Sequence, residues 1–345
     1  MPDIPISVIV PAYNRKHLLQ ATLDAVLAQT YPAREIVVID DGSTDGTYEM
    51  LQERYGSSVR AIRQKNGGVN AARNRAAAEA RYPWLAICDC DDLWHPEKLE
   101  RQARLLGLAP DARHCCTDFV SFYEDGDRPN HFSYAPPGYW DVPRRDFGQD
   151  GFVIDVKLYY KLLDFQPILP SAVIIHKELL EKVGGFREEF TTWHAEDFEF
   201  HLRCGAHPPF AIVPMPLVRY RRHLVSRSGN DLLHHACGAD LLEFALQHHE
   251  EAKHDPDRIR RAARQILIES ADMAFHEERL GLCLQYVARI QNPPMRLRAY
   301  QALASLPMNV HHSLRQTYRR LRGTPLREAP PPAGSPRRAS APSKS

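Results

Sequence analysis

The sequence predicts an α/β fold with a mixed, mainly parallel sheet flanked by helices, followed by an α-helical C-terminal extension. Two observations carry this prediction. Short β-branched runs alternate with helical segments over the first hundred residues, and strands that alternate with helices form right-handed crossovers between parallel neighbours. The runs are also apolar along their whole length, which is typical of a sheet covered on both faces.

Four apolar runs in the first hundred residues are interpreted as strands: 6–10, 35–39, 59–63 and 84–88. Helices are predicted between them. One has apolar residues at helical spacing and Asn14 as its candidate N-cap, and another is rich in Ala and Arg, which favour helices. The first of these helices covers 16–30 and the second 69–80. The apolar positions of the first are Leu19, Leu23, Val26 and Leu27.

The pattern is less regular from about 114 to 228. A stretch rich in Pro and aromatic residues, up to about 150, predicts a long loop. Residues 231 to about 321 have a helical pattern, and the last 22 residues hold six prolines and too few bulky apolar groups for a packed core. The remaining predicted elements are strands at 114–123 and 170–176 and helices at 177–183, ended by Gly184-Gly185, and at 196–204.

Composition excludes several classes of protein. The 44 Lys and Arg nearly balance the 43 Asp and Glu, which argues against binding to nucleic-acid phosphates. No apolar run reaches the roughly 20 residues that span a bilayer, and Asp3 stands where a signal peptide would carry basic residues. The seven cysteines form no CxxC pair. We therefore expect a protein of the reducing cytosol.

Polar clusters follow three of the predicted strands. The first ends in Pro11-Ala12-Tyr13-Asn14-Arg15, the second in Asp40-Asp41-Gly42-Ser43, and the fourth in Asp89-Cys90-Asp91-Asp92. Ligands of open α/β sheets bind beyond the carboxyl ends of the strands. Acids there suit hydroxyls, base N–H groups and a divalent cation that holds phosphate. Helix caps and turns would explain Ser43, Thr44 and Asp45, but not all three strand ends together.

Asn66-Gly67-Gly68 precedes a helix that carries Arg73. The segment is not a dinucleotide fingerprint, because G-x-G-x-x-G is absent and the first strand does not precede it. Two interpretations stay open. The glycines let the chain approach a ligand closely, with Arg73 one turn further on, or the segment is an ordinary turn with a solvated arginine.

These clusters and three later segments resemble the successive motifs of family-2 glycosyltransferases. The resemblance covers roughly residues 5–228 and implies the GT-A (Rossmann-like) fold. The matching segments are VIVPAYNR (8–15), VIDDGSTDGT (38–47), NGGVNAARN (66–74), CDCDD (88–92), GGFRE (184–188), HAEDFEFHLR (194–203) and YRRHLVSRS (220–228).

The domain organisation follows from that resemblance. We expect a glycosyltransferase domain over 1–228, with a nucleotide-sugar half of about 1–110 and an acceptor half of about 111–228. An α-helical region at 229–322 and a disordered tail at 323–345, rich in Pro, Arg and Ser, complete the prediction.

The resemblance also implies roles for the donor residues. Pro11 and Tyr13 would shape the pocket for the base, Asp41 would accept a hydrogen bond from the base, and Asp89 would face the ribose. Arg73 would lie near the sugar or the pyrophosphate. The complete set implied for nucleotide-sugar binding is Pro11, Tyr13, Asn14, Arg15, Asp41, Asn66, Gly68, Arg73 and Asp89.

Metal and catalytic roles are implied in the same way. Asp91 would ligate Mn²⁺ or Mg²⁺, and His223 would complete the diphosphate and metal site. Asp197 matches the catalytic base, and its neighbour Glu196 would hold the acceptor or exchange roles with it. A pair of helix-initiating acids favoured by the macrodipole is the alternative for Glu196-Asp197. Trp193 could stack on an acceptor sugar.

The remaining regions keep alternatives. The insert around 124–150 is either an acceptor-side lid or a disordered surface loop. The C-terminal helices could cover the acceptor end, dimerise or touch a membrane. The basic segment 311–322 suits anionic headgroups, which gives a peripheral location at the inner face of the membrane, although a solvated helix is the favoured interpretation.

The sequence thus predicts an inverting, metal-dependent glycosyltransferase of the hexosyl- or hexosaminyltransferase type, acting in polysaccharide biosynthesis. An NDP-sugar, with UDP favoured, would donate to a hydroxyl of a glycan, lipid-linked or small-molecule acceptor. The alternatives are a nucleotidyltransferase, which should carry a Gly-rich basic loop after the first strand, and a catalytically silent nucleotide-sugar-binding protein, which should have a broken base or metal motif.

Overall fold

A computed structural model describes residues 3–123, 125–190, 195–222 and 231–304. The N-terminal part alternates strands and helices as predicted. Three of these strands, β1, β2 and β4, are apolar runs whose residues are mostly buried, whereas β3 at the edge of the sheet is partly exposed. The elements are Ile6–Ala12 (β1), Lys16–Leu27 (α1), Glu35–Asp40 (β2), Thr47–Tyr55 (α2), Arg60–Arg63 (β3), Val69–Glu79 (α3) and Trp84–Ile87 (β4).

Within the described residues, the middle of the chain adds seven strands, of which β6 and β11 are the longest, and three α-helices. The predicted helix at 196–204 is confirmed, and the strand predicted at 170–176 begins after a single 3₁₀ turn, Pro170–Ala172. The elements are Leu93–Trp94 (β5), Lys98–Leu108 (α4), His114–Tyr123 (β6), Gly126–Asn130 (β7), Arg144–Asp146 (β8), Phe152–Ile154 (β9), Val173–His176 (β10), Lys177–Lys182 (α5), Glu196–Cys204 (α6) and Phe210–Arg221 (β11).

The strands of the described residues form one mixed sheet in the order β3-β2-β1-β4-β10-β6-β11-β9-β8. Strands β1 to β4 are parallel to one another, so their carboxyl ends share one edge. Strand β10 then runs antiparallel to both β4 and β6. This pairing joins the parallel N-terminal half to the strands that follow it.

The C-terminal helices are Asp231–His248 (α7), Pro256–His276 (α8), Leu280–Ala288 (α9) and Met295–Ala304 (α10). The helical pattern predicted from residue 231 is confirmed as far as residue 304, with breaks before Pro256 and near Pro294. By its internal contacts the chain divides into two units, Met1–Ser270 and Ala271–Ser345. The first holds the sheet. In the second, the Phe275 and Tyr300 rings stack with their centroids 3.8 Å apart.

Some local predictions are wrong. Asn14 does not cap α1: the helix begins at Lys16 after Arg15, and Asn14 has a left-handed φ of 50°. Leu27, placed on the apolar face of that helix, is 44% exposed because the helix ends there. The long loop expected up to residue 150 contains β7, β8 and two 3₁₀ turns. Strand β11 was not predicted, because its two prolines interrupt the apolar pattern.

Candidate active site

A cleft of about 450 Å³ opens at the carboxyl ends of β1, β2 and β4. Helix α6 supplies residues to its lining, so the cleft joins both halves of the predicted glycosyltransferase domain. Nearly all of the predicted site residues that the structure describes line it. They are Pro11, Tyr13, Arg15, Asp41, Asn66, Gly68, Arg73, Asp89, Asp91, Glu196 and Asp197.

The segment after β1 places an aromatic ring at the cleft. Tyr13 is 48% exposed, so its face is open to a planar ligand. Asn14 is not part of the cleft lining. Its backbone N–H donates to the Ser43 hydroxyl, and its side-chain oxygen accepts from the backbone N–H of Thr44. Asn14 therefore fixes the β1 and β2 loops to one another.

The carboxylate of Asp41 holds the glycine turn in place. It accepts hydrogen bonds from the backbone N–H groups of Gly67, at 2.9 Å, and Gly68, at 2.8 Å, and from the Gln64 side chain, at 2.8 Å. Gly68 has a φ of 90°, in the range that favours glycine. The turn before α3 is therefore a built part of the cleft wall rather than a solvated loop.

Arg73 donates a hydrogen bond to Asp89 and lies close enough to Glu196 to feel its charge. Its guanidinium is buried and donates to Asp89 at 2.8 Å. Burial alone would lower the pKa of Arg73, but the charges of Asp89 and Glu196 outweigh burial and raise it. The solvated arginine considered as an alternative is thus excluded.

Carboxylates crowd together after β4. Burial and the charge of Asp89 raise the pKa of Asp91 to about 6. Arg15 opposes this shift, with its Nε 3.8 Å from an Asp91 oxygen. Asp92 is fully buried and accepts from the Ser171 hydroxyl and from the backbone N–H of Arg221, at 3.0 Å. A site whose acids repel one another in this way has the electrostatics that a cation relieves.

The donor set fits a divalent cation that is shared with a diphosphate. Among the residues that the structure describes, no three His, Cys, Asp or Glu side chains form a group that could hold a metal ion. Mg²⁺ commonly uses one or two carboxylates together with waters and substrate phosphates rather than a complete protein cage. The crowded Asp89 and Asp91 oxygens match that mode of binding.

The first turn of α6 brings a second pair of acids to the same cleft. Glu196 and Asp197 are half-buried and line it. One Asp197 oxygen accepts from the backbone N–H of Phe198 at 2.8 Å, as an acid in a first helical turn does. Asp91 and Asp197 therefore open into one cavity rather than onto separate surfaces.

The GGFRE segment binds the donor helix α3. The Asn74 side chain accepts from the backbone N–H of Phe186 and donates to its carbonyl, and Asn70 donates to the Arg187 carbonyl at 2.7 Å. The Phe186 ring stacks on Phe200 of α6, with the centroids 3.9 Å apart. Neither Asn70 nor Asn74 was assigned a role in the site from the sequence, although both lie inside a matched motif.

Two predicted site residues and several regions fall outside the described residues. Trp193 lies in the segment 191–194, and His223 lies in 223–230. The basic segment 311–322 and the tail 323–345 lie beyond residue 304. Within the described part of the chain, each helix is too short or too polar to cross a membrane.

A family comparison agrees with the arrangement of the cleft. Residues 7–160 match the sequence model described as Glycosyl transferase family 2. Residues 7–160 therefore form a glycosyltransferase family 2 domain. The match ends before α6, so the geometry of the cleft is what relates the Glu196-Asp197 pair to the donor motifs.

Two curated proteins are similar in sequence to this chain. The Bacillus subtilis protein named as the teichuronic acid biosynthesis glycosyltransferase TuaG is 34% identical over 137 residues, which cover 38% of this chain and 53% of TuaG. The uncharacterized protein Rv1520 of Mycobacterium tuberculosis is 29% identical over 230 residues, which cover 63% of this chain and 59% of that protein. The matches therefore span little more than half of either relative.

Solved structures share the GT-A fold of this chain. Residues 1–349 of S. aureus TarS in complex with UDP align with a TM-score of 0.52 at 19% identity, covering 92% of this chain and 91% of that one. The mannosyltransferase PcManGT from Pyrobaculum calidifontis, in complex with GDP-Man and Mn²⁺, aligns with a TM-score of 0.53 at 20% identity, covering 92% and 79%. At such identities the likeness concerns the fold.

Proposed function

We propose that this family-2 glycosyltransferase is a metal-dependent, inverting enzyme that moves a sugar from an NDP-sugar to an acceptor hydroxyl. The carrying observation is that Asp91 and Asp197 line one cleft of about 450 Å³. UDP is the favoured nucleotide, and the TarS complexes with UDP and UDP-GlcNAc support that choice for the donor class. The acceptor would be a glycan, a lipid-linked sugar or a small molecule.

The donor would bind along the strand ends. Tyr13 offers its ring to the base, and the turn held by Asp41 brings backbone atoms of Asn66 and Gly68 to the nucleotide. Asp91 would hold Mn²⁺ or Mg²⁺, with His223 as the second proposed ligand. The bound cation would stabilise the negative charge of the departing diphosphate, an effect of several kcal/mol.

Protein side chains would carry out the remaining steps. Arg73 and Arg15 place positive charge on the diphosphate side of the cleft. Asp197 would accept the proton of the acceptor hydroxyl. As this happens, the hydroxyl oxygen would bond to the anomeric carbon, and the bond from that carbon to the diphosphate would break. Glu196 would orient the acceptor. Attack from the face opposite the diphosphate inverts the anomeric centre.

A panel of nucleotide sugars tests this proposal. We expect a UDP-sugar with Mn²⁺ to raise the free energy of unfolding by about 2.7 kcal/mol at 100 times its dissociation constant. With an acceptor, it should release UDP. EDTA should abolish both effects. Asp91→Asn should lose the Mn²⁺-dependent part of binding, while Asp146→Asn, at an exposed strand position, should keep it.

The outcomes separate the candidate functions. Binding without turnover on any acceptor would favour the silent nucleotide-sugar-binding protein. Release of pyrophosphate from a nucleoside triphosphate would favour the nucleotidyltransferase. Nucleotide-sugar binding that is equal in Asp91→Asn and the parent chain would remove the metal role from Asp91.

A further inference from the structure

Helix α6 carries a buried carboxylate, Glu199, on the face opposite Asp197. Glu199 follows Asp197 by two residues, which is a rotation of about 200° around a helix. Asp197 lines the cleft, whereas Glu199 is fully buried. The reaction proposed above has no step for Glu199, so its burial needs a separate explanation.

Three side chains donate hydrogen bonds to Glu199. Arg203, one turn further along α6, uses both Nε, at 2.7 Å, and Nη2, at 2.6 Å. Arg187 of the GGFRE segment donates through Nε at 3.0 Å. His249, immediately after α7, lies with its Nε2 3.0 Å from the same carboxylate. Glu199 thus ties α6 to two other parts of the chain.

The contact between His249 and Glu199 has a defined direction. An ionised carboxylate only accepts, so the hydrogen of the bond belongs to His249 Nε2. The other ring nitrogen, Nδ1, lies 2.9 Å from the Tyr159 hydroxyl. The His249 and Tyr159 side chains are both buried. The histidine is therefore held from both sides and cannot turn away from Glu199 without losing a buried hydrogen bond.

Further contacts bind α7 and the loop after Leu158 to the same region. The Arg187 guanidinium lies over the Phe244 ring, 5.2 Å from its centroid, and Phe190 meets that ring edge-on at 4.8 Å. The backbone N–H groups of Leu158 and Tyr159 both donate to the Gly205 carbonyl, just after α6. Both ends of α6 are thus fixed by residues that lie far away in the sequence.

We propose that Glu199, His249 and Tyr159 are positioning residues that set where the first turn of α6 stands in the cleft, and so where the Asp197 carboxylate meets the acceptor. This inference rests on the proposed function. It makes α7 and the residue that follows it part of the machinery of transfer. A buried ion pair adds little net stability over apolar packing, so a specific arrangement of α6 is what these charges provide.

The kinetic test compares substitutions of His249. His249→Leu removes the donor to Glu199, and we expect kcat for transfer to fall by up to about 100-fold, because small displacements of a reacting group are costly. The dissociation constant of the nucleotide sugar should not change. His249→Gln, whose amide can still donate, should recover most of the rate. His254→Leu, at an exposed histidine nearby, is the matched control and should keep the parent rate.

Tyr159→Phe provides a second variant in case His249→Leu does not fold. It removes only the hydroxyl that faces His249 and should lower kcat in the same direction by a smaller factor. Parent-like kcat in a folded His249→Leu or Tyr159→Phe would overturn the proposal. A loss of rate in His249→Leu that His249→Gln does not recover would also overturn it.

Hydrogen exchange of the backbone amides of α6 tests the inference without any substrate. We expect faster exchange over 196–204 in His249→Leu and parent-like exchange in His254→Leu. If the parent chain transfers no sugar, the proposed function fails while this measurement still decides whether His249 orders α6. Equal α6 exchange in His249→Leu and the parent would contradict the positioning role.

Discussion

The donor wall and the base wall of the cleft are held in place by different means. On the donor wall, Asp41, Asp89 and Asp91 lie just beyond the ends of β2 and β4, which belong to the parallel part of the sheet, so backbone pairing places them. On the base wall, Asp197 stands on α6, which buried side chains hold from outside the sheet, above all Glu199. Backbone pairing thus fixes the donor wall of the site, and charged side chains fix the base wall.

The largest effect should come from the base itself. Asp197→Asn keeps the shape of the side chain but removes the proton acceptor, so we expect kcat to fall by about 10²–10⁴-fold. Donor affinity should stay at the parent value, because the donor wall is untouched. Steady-state transfer and donor titration measure the two quantities. Asp257→Asn, at an exposed position of α8, is the control, and unchanged turnover in Asp197→Asn would refute the base assignment.

A pH titration of stability examines how the base wall is held. Burial alone would raise the pKa of Glu199 above its ordinary 4.5, but hydrogen bonds from His249 and Arg203 lower it to about 2. A carboxylate whose pKa is lowered in the folded protein stabilises the fold at pH values above about 4.5. Its contribution to the free energy of unfolding, about 3 kcal/mol, is lost as the pH falls towards 2.

Urea unfolding between pH 6 and pH 2.5 measures this contribution. The parent chain should lose stability across that range more steeply than Glu199→Gln, because glutamine does not titrate. Curves that run parallel in the two proteins would show that Glu199 does not carry the pH dependence.

The donor wall should respond more weakly to the loss of a side-chain contact. Ser171 accepts from the backbone N–H of Asp89 at 2.9 Å and donates to the buried Asp92, so Ser171→Ala leaves both groups without this partner. We expect a loss of about 1–3 kcal/mol in the free energy of unfolding, and unchanged hydrogen exchange in α6. Ser133→Ala, at an exposed serine, is the control. Faster α6 exchange in Ser171→Ala would mean that the two walls are not held separately.

The smallest effect should appear where the two walls meet, at the paired glycines before Phe186. Gly184 and Gly185 have φ values of 79° and 68°, so alanine is strained at both. A Cβ at Gly185 would stand 2.9 Å from the Asn74 side-chain oxygen, whereas none of the described atoms lies within 4 Å of one at Gly184.

Thermal or urea unfolding of the two alanine variants isolates this contact. Gly185→Ala should be less stable than Gly184→Ala by about 1 kcal/mol, the cost of crowding Asn74. Equal stabilities would indicate that the link between α3 and the GGFRE segment yields without cost.

The sequence predicted the donor wall well because each of its residues follows a strand. An apolar run identifies a strand, and the carboxyl ends of parallel strands lie at one edge of the sheet. The sequence alone therefore predicts that Asp41, Asp89 and Asp91 lie close together. The helix that carries Asp197 was predicted as well, from its local pattern. Its place beside the cleft came from the family resemblance rather than from any local signal.

The residues that hold α6 could not be found in the same way. Glu199 and His249 are 50 positions apart, and neither has a spacing that indicates a contact. The available signal in the sequence was a glutamate on the apolar side of an amphipathic helix, with Phe200 and Leu202 nearby. The structure shows that Glu199 is fully buried. Asn74 was given no role because helix propensity accounts for α3 without assigning the asparagine a partner.

A crystal structure with UDP and Mn²⁺ bound tests most directly whether the two walls act on one substrate. We expect an anomalous manganese peak within about 2.5 Å of an Asp91 oxygen. The uracil ring should lie against Tyr13, and Asp197 should lie across open space from the β-phosphate. Nucleotide bound away from the strand ends, or manganese held by residues other than Asp91, would contradict it.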